Sequence, residues 1–170
     1  MPTKSKEPSG PDLSTLLEGL IEADIKFILV GGLAAVIQGA PVTTMDVDIV
    51  HSQSPENISK LFVFLKSMGA FYRRMDDRVI EPNREDLEGK GHALFATRLG
   101  PLDVLAVIEE GKAYNDLLEH TIKIEFRGHA VRVLGLKTLV QLKQMSKDLK
   151  DKQRLPVLKE TLRQLNDYER

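Results

Sequence analysis

Apolar residues along this chain switch between two spacings, and the switches mark its elements. Leu13, Leu16, Leu17, Leu20 and Ile21 recur at helical spacing, with Pro11 and Asp12 as a start signal, and predict a first helix. KFILVGG follows, a short apolar run ending in glycines, which predicts a buried strand. LAAVIQG predicts a helix that opens at the pair Gly31-Gly32 and closes at Gly39. TMDVDIV predicts a second strand, running from Met45 to Val50. Ser54, Pro55 and Glu56 form a start signal for the helix that continues through SKLFVFLKSMGA. FYRR predicts a short strand. From Asp76 to Gly91, glycine, asparagine, proline and charge dominate and predict a mobile loop. HALFATRLGPLDVLAVI reads as two strands joined at Gly100-Pro101, AYNDLLEH as a short helix, and TIKIEFRGHAVRVL as a hairpin turning at Arg127-Gly128. Two helices follow, Leu136 to about Lys150 and Pro156 to about Asn166, the second with Leu158, Leu162 and Leu165 on one face.

Strands and helices interleave, but the hairpins point away from a doubly wound parallel sheet. The expectation is an α+β fold, a mixed β-sheet flanked by helices, with a helical C-terminal end. The chain has 170 residues, enough for one domain with its own core. Residues 11–170 are expected to form it, and MPTKSKEPSG, residues 1–10, to be a disordered tail. A net charge of −1 leaves the whole molecule with no strong attraction for nucleic acid or anionic membrane, so any polyanion site must be a local patch. The absence of cysteine removes disulfides, cysteine zinc sites and thiol nucleophiles. It also fits a reducing, cytoplasmic setting. No apolar run approaches the ~20 residues of a membrane helix, and the start carries no apolar signal region.

Aspartate is depleted in strands, yet Asp46 and Asp48 sit in one with a single valine between them. Alternation puts Val47 and Ile49 on the core side and both acids on the other, with Cα atoms about 6.5–7 Å apart. At an effective dielectric of about 20, two charges at that distance repel by about 2.5 kcal/mol. A divalent cation between them reverses the sign, and magnesium suits hard oxygen donors of this kind. Asp103 interrupts GPLDVLAVI in the same way. If its strand lies beside Asp46 and Asp48, three carboxylates converge and could hold two ions. An Asp-x-Asp pair also occurs on solvated sheet faces, so the pair alone is weak evidence. DVDIVHSQS lacks the further ligands and the glycine of a calcium-binding EF-hand loop.

Gly31-Gly32 lies between a strand and a helix, where backbone can approach a phosphate. It matches neither the Walker pattern nor the dinucleotide fingerprint. Taken together, strand, Gly-Gly, helix, Asp-x-Asp and a distant third Asp resemble the DNA polymerase β-like nucleotidyltransferase superfamily. VGGLAAVIQGAPVTTMDVDIV, GPLDVLAVI, VRVLGLKTLVQLK and KDLKDKQRLPVLKETL are similar to the small bacterial nucleotidyltransferase proteins related to AbiEii toxins. The resemblance covers most of Phe27 to Leu165.

It implies transfer of a nucleoside monophosphate from an NTP to an acceptor hydroxyl, with Mg2+ as cofactor and two ions expected. Gly31 and Gly32 would contact the triphosphate. Asp46 and Asp48 would bind metal, and Asp103 would bind metal and activate the hydroxyl. Lys150, in the Lys-Asp pair before LPVL, would reach the phosphates, with Lys143 one helix face away. Thr44 stands at the family's threonine, two places before the first acid. The acceptor could be a tRNA end, a protein hydroxyl or a small antibiotic. A second reading is a catalytically weak module of the same fold that binds a nucleotide or a partner protein, as half of a toxin–antitoxin pair. Relatives often carry Arg where this chain has Val42, and His where it has Gln38.

Lys137, Lys143, Lys147, Lys150, Lys152 and Arg154 form a basic run, read either as a wall facing the acids or as a solvated helix face. Arg73, Arg74 and Arg78 could form a second substrate patch, but read more simply as solvated surface. His51, His92, His120 and His129 show no metal-ligand spacing and are expected at the surface or in the hairpin.

Overall fold

Asp12 starts the first helix: its carboxylate accepts the Thr15 N–H at 3.1 Å and the Thr15 hydroxyl at 2.7 Å. Helix α1, Leu13–Glu22, then turns Leu16, Leu17 and Leu20 fully inward. This is seen in a computed structural model that describes residues 11–168; the expected tail, residues 1–10, lies outside the described residues. The chain continues as β1 Phe27–Val30, α2 Gly31–Ile37, β2 Val47–His51, α3 Pro55–Ser67, β3 Phe71–Tyr72, α4 Arg84–Glu88, β4 His92–Thr97 and β5 Gly100–Leu105. After α5 Tyr114–Leu117 come β6 Thr121–Phe126, β7 His129–Leu134, α6 Leu136–Gln144 and α7 Leu149–Tyr168.

The seven strands form one sheet in the order β3-β4-β5-β2-β1-β7-β6. β2 runs parallel to β5 and β1 parallel to β7, while the remaining neighbours are antiparallel. The sheet is therefore mixed, as the sequence pattern predicts. All four side chains of β1 are buried, which its continuous apolar run requires. α1 packs against β2 and β7, α2 against β1 and β2, and α6 against both α2 and α7. Gln38 joins two of these elements. Its amide donates to the carbonyls of Ala34 and Leu134 at 3.0 and 2.9 Å, and its Oε1 accepts the Leu136 N–H at 2.8 Å. The glutamine thus ties the end of α2 to the start of α6.

Five expectations need correction. The second strand begins at Val47, not Met45, so Asp46 stands at its mouth. The β4–β5 hairpin turns at Arg98-Leu99, and Gly100 already pairs with Thr97; its φ of +130° suits glycine there. Residues 76–91 are not wholly loop. Asn83 accepts the Asp86 N–H at 2.9 Å and caps α4, Leu87 is fully buried, and His51 bonds the Leu87 carbonyl at 2.9 Å. His51 is accordingly 1% exposed rather than on the surface, and burial holds its pKa below the usual histidine value. Finally, α6 stops at Gln144, and Pro156 lies inside α7 instead of opening it. Asp148 accepts the Lys150 N–H at 2.8 Å and Asp151 anchors the first turn through Ser146 and Lys143, so the helix is set before the proline is reached.

Candidate active site

Register builds the site. Val30 on β1 pairs with Asp48 on β2, Asp48 with Asp103 on β5, and Asp103 with Leu94 on β4. Side chains opposite one another in a ladder share a face, so the two aspartates stand side by side on one surface of the sheet. Asp46, two residues before Asp48, joins them. Asp46, Asp48 and Asp103 each offer an oxygen, and these lie within 4.8 Å of one another. The row has a covered half and an open half. Val30 is buried, whereas Leu94 is 39% exposed. The acids lie at the border.

Three carboxylates at this separation oppose one another's ionisation. Burial, the Asp46 charge, and hydrogen bonding and charge from Asp103 push the Asp48 carboxyl up to about 8, while Lys143 pulls it back. The Asp46 carboxyl is also raised, by burial first and then by Asp103, against the pull of Lys150, Arg73 and Arg154. Hard oxygen donors converging with surplus negative charge are what a divalent cation needs.

The glycines are shaped by this cluster. Gly31 has φ +72°, and a Cβ there would overlap Asp48 Oδ2. A Cβ on Gly32 would come within 2.9 Å of both Arg154 Nη1 and Thr44 Oγ1. Asp48 and Arg154 therefore occupy the room that the two missing side chains leave. Thr44 donates to the Asp46 carbonyl at 3.2 Å and fixes the approach to the first acid. Lys143, on α6, pairs with Asp151 at 2.9 Å and lies 3.9 Å from Glu109. With Asp48 and Gly31 it lines a cavity of about 370 Å³, walled on the apolar side by Val30, Leu134, Leu139 and Leu142. Lys150, in the first turn of α7, is exposed. Among the described residues it makes no ion pair, and its charge reaches Asp46 only at longer range.

Two cations near the acids are named by sequence reasoning only as members of wider basic sets. Arg154 Nη2 donates to the Thr43 carbonyl, which puts its guanidinium over the glycine turn. It is one of six basic residues in its run, and nothing in that run marks it. Arg73 follows β3, its N–H donates to the Leu94 carbonyl at 2.9 Å, and its Nη1 lies 2.6 Å from Asp103 Oδ1. The contact is ionic and not an aligned hydrogen bond: Nη1 donates to the Phe95 carbonyl at 2.9 Å, and Oδ1 is buried without a well-directed donor. Its signal was the FYRR strand itself. An edge strand paired to β4 brings Arg73 level with Leu94, and Leu94 is level with Asp103. Two strand spacings, about 9.6 Å, are within reach of an extended arginine.

No family model and no curated protein sequence matches the chain. Solved structures do. A lincosamide antibiotic adenylyltransferase, LnuA, in its lincomycin-bound form, superimposes with a TM-score of 0.58 at 12% identity, covering 88% of this chain and 96% of that one. ANT(2'')-Ia in complex with adenylyl-2''-tobramycin gives 0.52 at 15% identity, covering 88% of each chain. An antigenic nucleotidyltransferase-like protein from Paracoccidioides brasiliensis gives 0.52 at 19% identity, covering 86% of this chain and 72% of that one. The chain has the nucleotidyltransferase fold, with an aspartate cluster on its sheet. Among the described residues no helix is long and apolar enough to cross a membrane.

Proposed function

We propose that this chain is a magnesium-dependent nucleotidyltransferase that moves a nucleoside monophosphate from an NTP to an acceptor hydroxyl. The observation that carries the reading is the convergence of Asp46, Asp48 and Asp103 within 4.8 Å, beside a glycine turn. The donor set fits the metal: all three ligands are hard oxygens, and Asp103 Oδ1 is buried with no aligned hydrogen bond. Asp46, Asp48 and Asp103 would hold two Mg2+ ions, which when bound neutralise charge at the attacking oxygen, the α-phosphate and the leaving group.

The chain's own residues do the rest. The Gly31-Gly32 turn receives the triphosphate. Asp103 accepts the proton of the acceptor hydroxyl as that oxygen bonds to the α-phosphorus. The bond from the α-phosphorus to the bridging oxygen breaks, and pyrophosphate leaves with the electron pair. Lys143 and Arg154 set positive charge against the phosphates, Lys150 adds longer-range attraction, and Thr44 holds the strand mouth so that Asp46 points inward.

Small hydroxylated antibiotics head the acceptors to try, because LnuA and ANT(2'')-Ia were solved with lincomycin and adenylyl-tobramycin. RNA ends and protein hydroxyls follow. A second reading, a weakly catalytic nucleotide-binding module of the AbiEii-related, toxin–antitoxin kind, draws on one observation: Arg73 sits on Asp103 and Arg154 over Gly32, so cations already stand at both places. The test is incubation with each NTP labelled at the α-phosphate, Mg2+, and separate pools of antibiotic, RNA and protein. Label moved to one pool, and lost with EDTA and with Asp48→Asn, supports the transferase. Nucleotide binding with no transfer supports the second reading. Neither binding nor transfer sinks both.

A further inference from the structure

Among the described residues, Arg73 makes the ion pair with the acid cluster; Asp46 and Asp48 have none. The contact reaches from the end of β3 across β4 to β5, and its two side chains are 31% and 16% exposed. Arg73 Nη1 is 2.6 Å from Asp103 Oδ1, closer than a cation held only by long-range attraction would come. That oxygen is also the one left buried without a directed donor. A carboxylate oxygen so placed is free to bind metal in direction, but its charge is already met.

We propose that Arg73 holds the place of the second divalent cation. With its guanidinium on Asp103, the cluster takes one ion, between Asp46 and Asp48. The second ion binds through Asp103 only when the Arg73 side chain leaves. The inference rests on the metal-dependent reading above and deepens it by making Arg73 a positioning residue of the site. The geometry allows the exchange without refolding. The Arg73 backbone is fastened to the Leu94 carbonyl at 2.9 Å, so the anchor stays while a side chain of several rotatable bonds swings. Nη1 is already shared between Asp103 and the Phe95 carbonyl, so turning from the acid does not leave it without an acceptor. The exposed half of the sheet face, at Leu94, provides the room. Guanidinium is always charged, so the arginine's side of the competition is electrostatic and does not itself titrate.

Mn2+ alone, followed by electron paramagnetic resonance, counts the ions without any turnover. The full chain is expected to bind one ion, and Arg73→Gln two, with the second event at least roughly tenfold tighter than any second event in the parent. Asp103→Asn should bind one ion whether or not Arg73 is present, because the second site is gone. Circular dichroism of each variant confirms folding, and Arg73→Lys serves as a second variant that keeps the charge and should remain at one ion. A second ion bound by the parent as tightly as by Arg73→Gln, or only one ion in a folded Arg73→Gln, overturns the proposal and leaves the transferase reading standing. No ion in any protein overturns this proposal together with the metal-dependent reading.

Discussion

The acids and the cations of this site are held in place by different means. Asp48 and Asp103 are short side chains on neighbouring strands, and their positions follow from the Asp48–Asp103 register. Lys143, Lys150, Arg154 and Arg73 are long side chains that reach in from α6, α7 and the far side of β4. Shifting β2 by one residue would turn Asp48 into the core and Ile49 out, which the buried face forbids. No comparable rule governs a lysine on a helix. The acids are therefore rigid and crowded, and the cations are adjustable and spread out. The difference teaches where evolution of such a site is constrained: the acid row is tied to the folding of the sheet, while positive charge can arrive from several elements.

Removing a rigid acid should have the largest effect. Asp48→Asn is expected to lower transfer by about a thousandfold or more, since a cation ligand and its charge disappear together. The same change should raise metal-free stability. The folded carboxyl is pushed up to about 8, above its unfolded value near 3.8, so its contribution is fully present below pH 4 and is lost as pH rises towards 8. Melting curves without divalent ions should show the parent losing stability across that window and Asp48→Asn staying nearly flat. The gap at pH 8 should reach a few kcal/mol, shared with the neighbouring acids. A parent with a flat profile, or an asparagine variant that melts lower at pH 8, would mean that the crowding is relieved by something other than protonation.

Gly31→Ala strikes the same row from below. The new Cβ would overlap Asp48 Oδ2, and φ +72° disfavours any side chain. A loss of about 2–4 kcal/mol in chemical denaturation is expected from strain and overpacking combined. Gly32→Val should be milder in stability but weaken NTP binding, because its Cβ meets the guanidinium of Arg154 and the Thr44 hydroxyl, which can shift. If Gly31→Ala unfolds at the parent's denaturant midpoint, Asp48 is not held against the glycine.

The acid row was legible in the sequence because one rule, alternation, carried it. An aspartate set in an apolar strand must face away from the core, and DVD had two and PLDVL one. The Asp48–Asp103 neighbourhood needed one thing more, the parallel β2–β5 pairing, which alternation does not give; the resemblance implied only that the three acids act together. The cations were legible only as a composition. KTLVQLKQMSKDLKDKQRL shows a positive region, but which lysine or arginine meets a phosphate site depends on where α7 begins and how it leans on α6. There Pro156 misled, since proline opens helices more often than it interrupts them. Arg73 was hidden for another reason. Its partner lies across β4, and a single-strand pattern carries no information about reach across a neighbour.

Among the cations, Arg154 is expected to matter more than Lys150. Arg154 is anchored on the Thr43 carbonyl beside Gly32, so a bound phosphate would meet a charged, directed donor. Charge-assisted hydrogen bonds contribute about 1.5–3 kcal/mol. At 1.4 kcal/mol per decade, Arg154→Ala should cost about ten- to a hundredfold in kcat/KM.

Lys150 tests the comparison at its weakest point. It stands in the Lys-Asp pair that the resemblance singles out, yet its side chain is exposed and among the described residues it pairs with no acid. An exposed charge acting on Asp46 through solvent is screened by salt within about 10 Å at an ionic strength of about 0.1 M. Lys150→Ala should therefore cost only about two- to fivefold in kcat/KM at low salt, and the deficit should shrink as salt is added. Lys150→Arg should restore the parent value, because charge without direction is all that is asked of it. Arg154→Lys should not restore its parent, since the ammonium cannot repeat the guanidinium's reach to the Thr43 carbonyl while facing the glycine turn. Steady-state kinetics at two salt concentrations distinguishes the cases. A Lys150→Ala deficit that equals or exceeds that of Arg154→Ala, and that does not fall with salt, would place the lysine in direct contact with phosphate. It would also mean that α7 closes over the acids by a motion that brings its first turn inward.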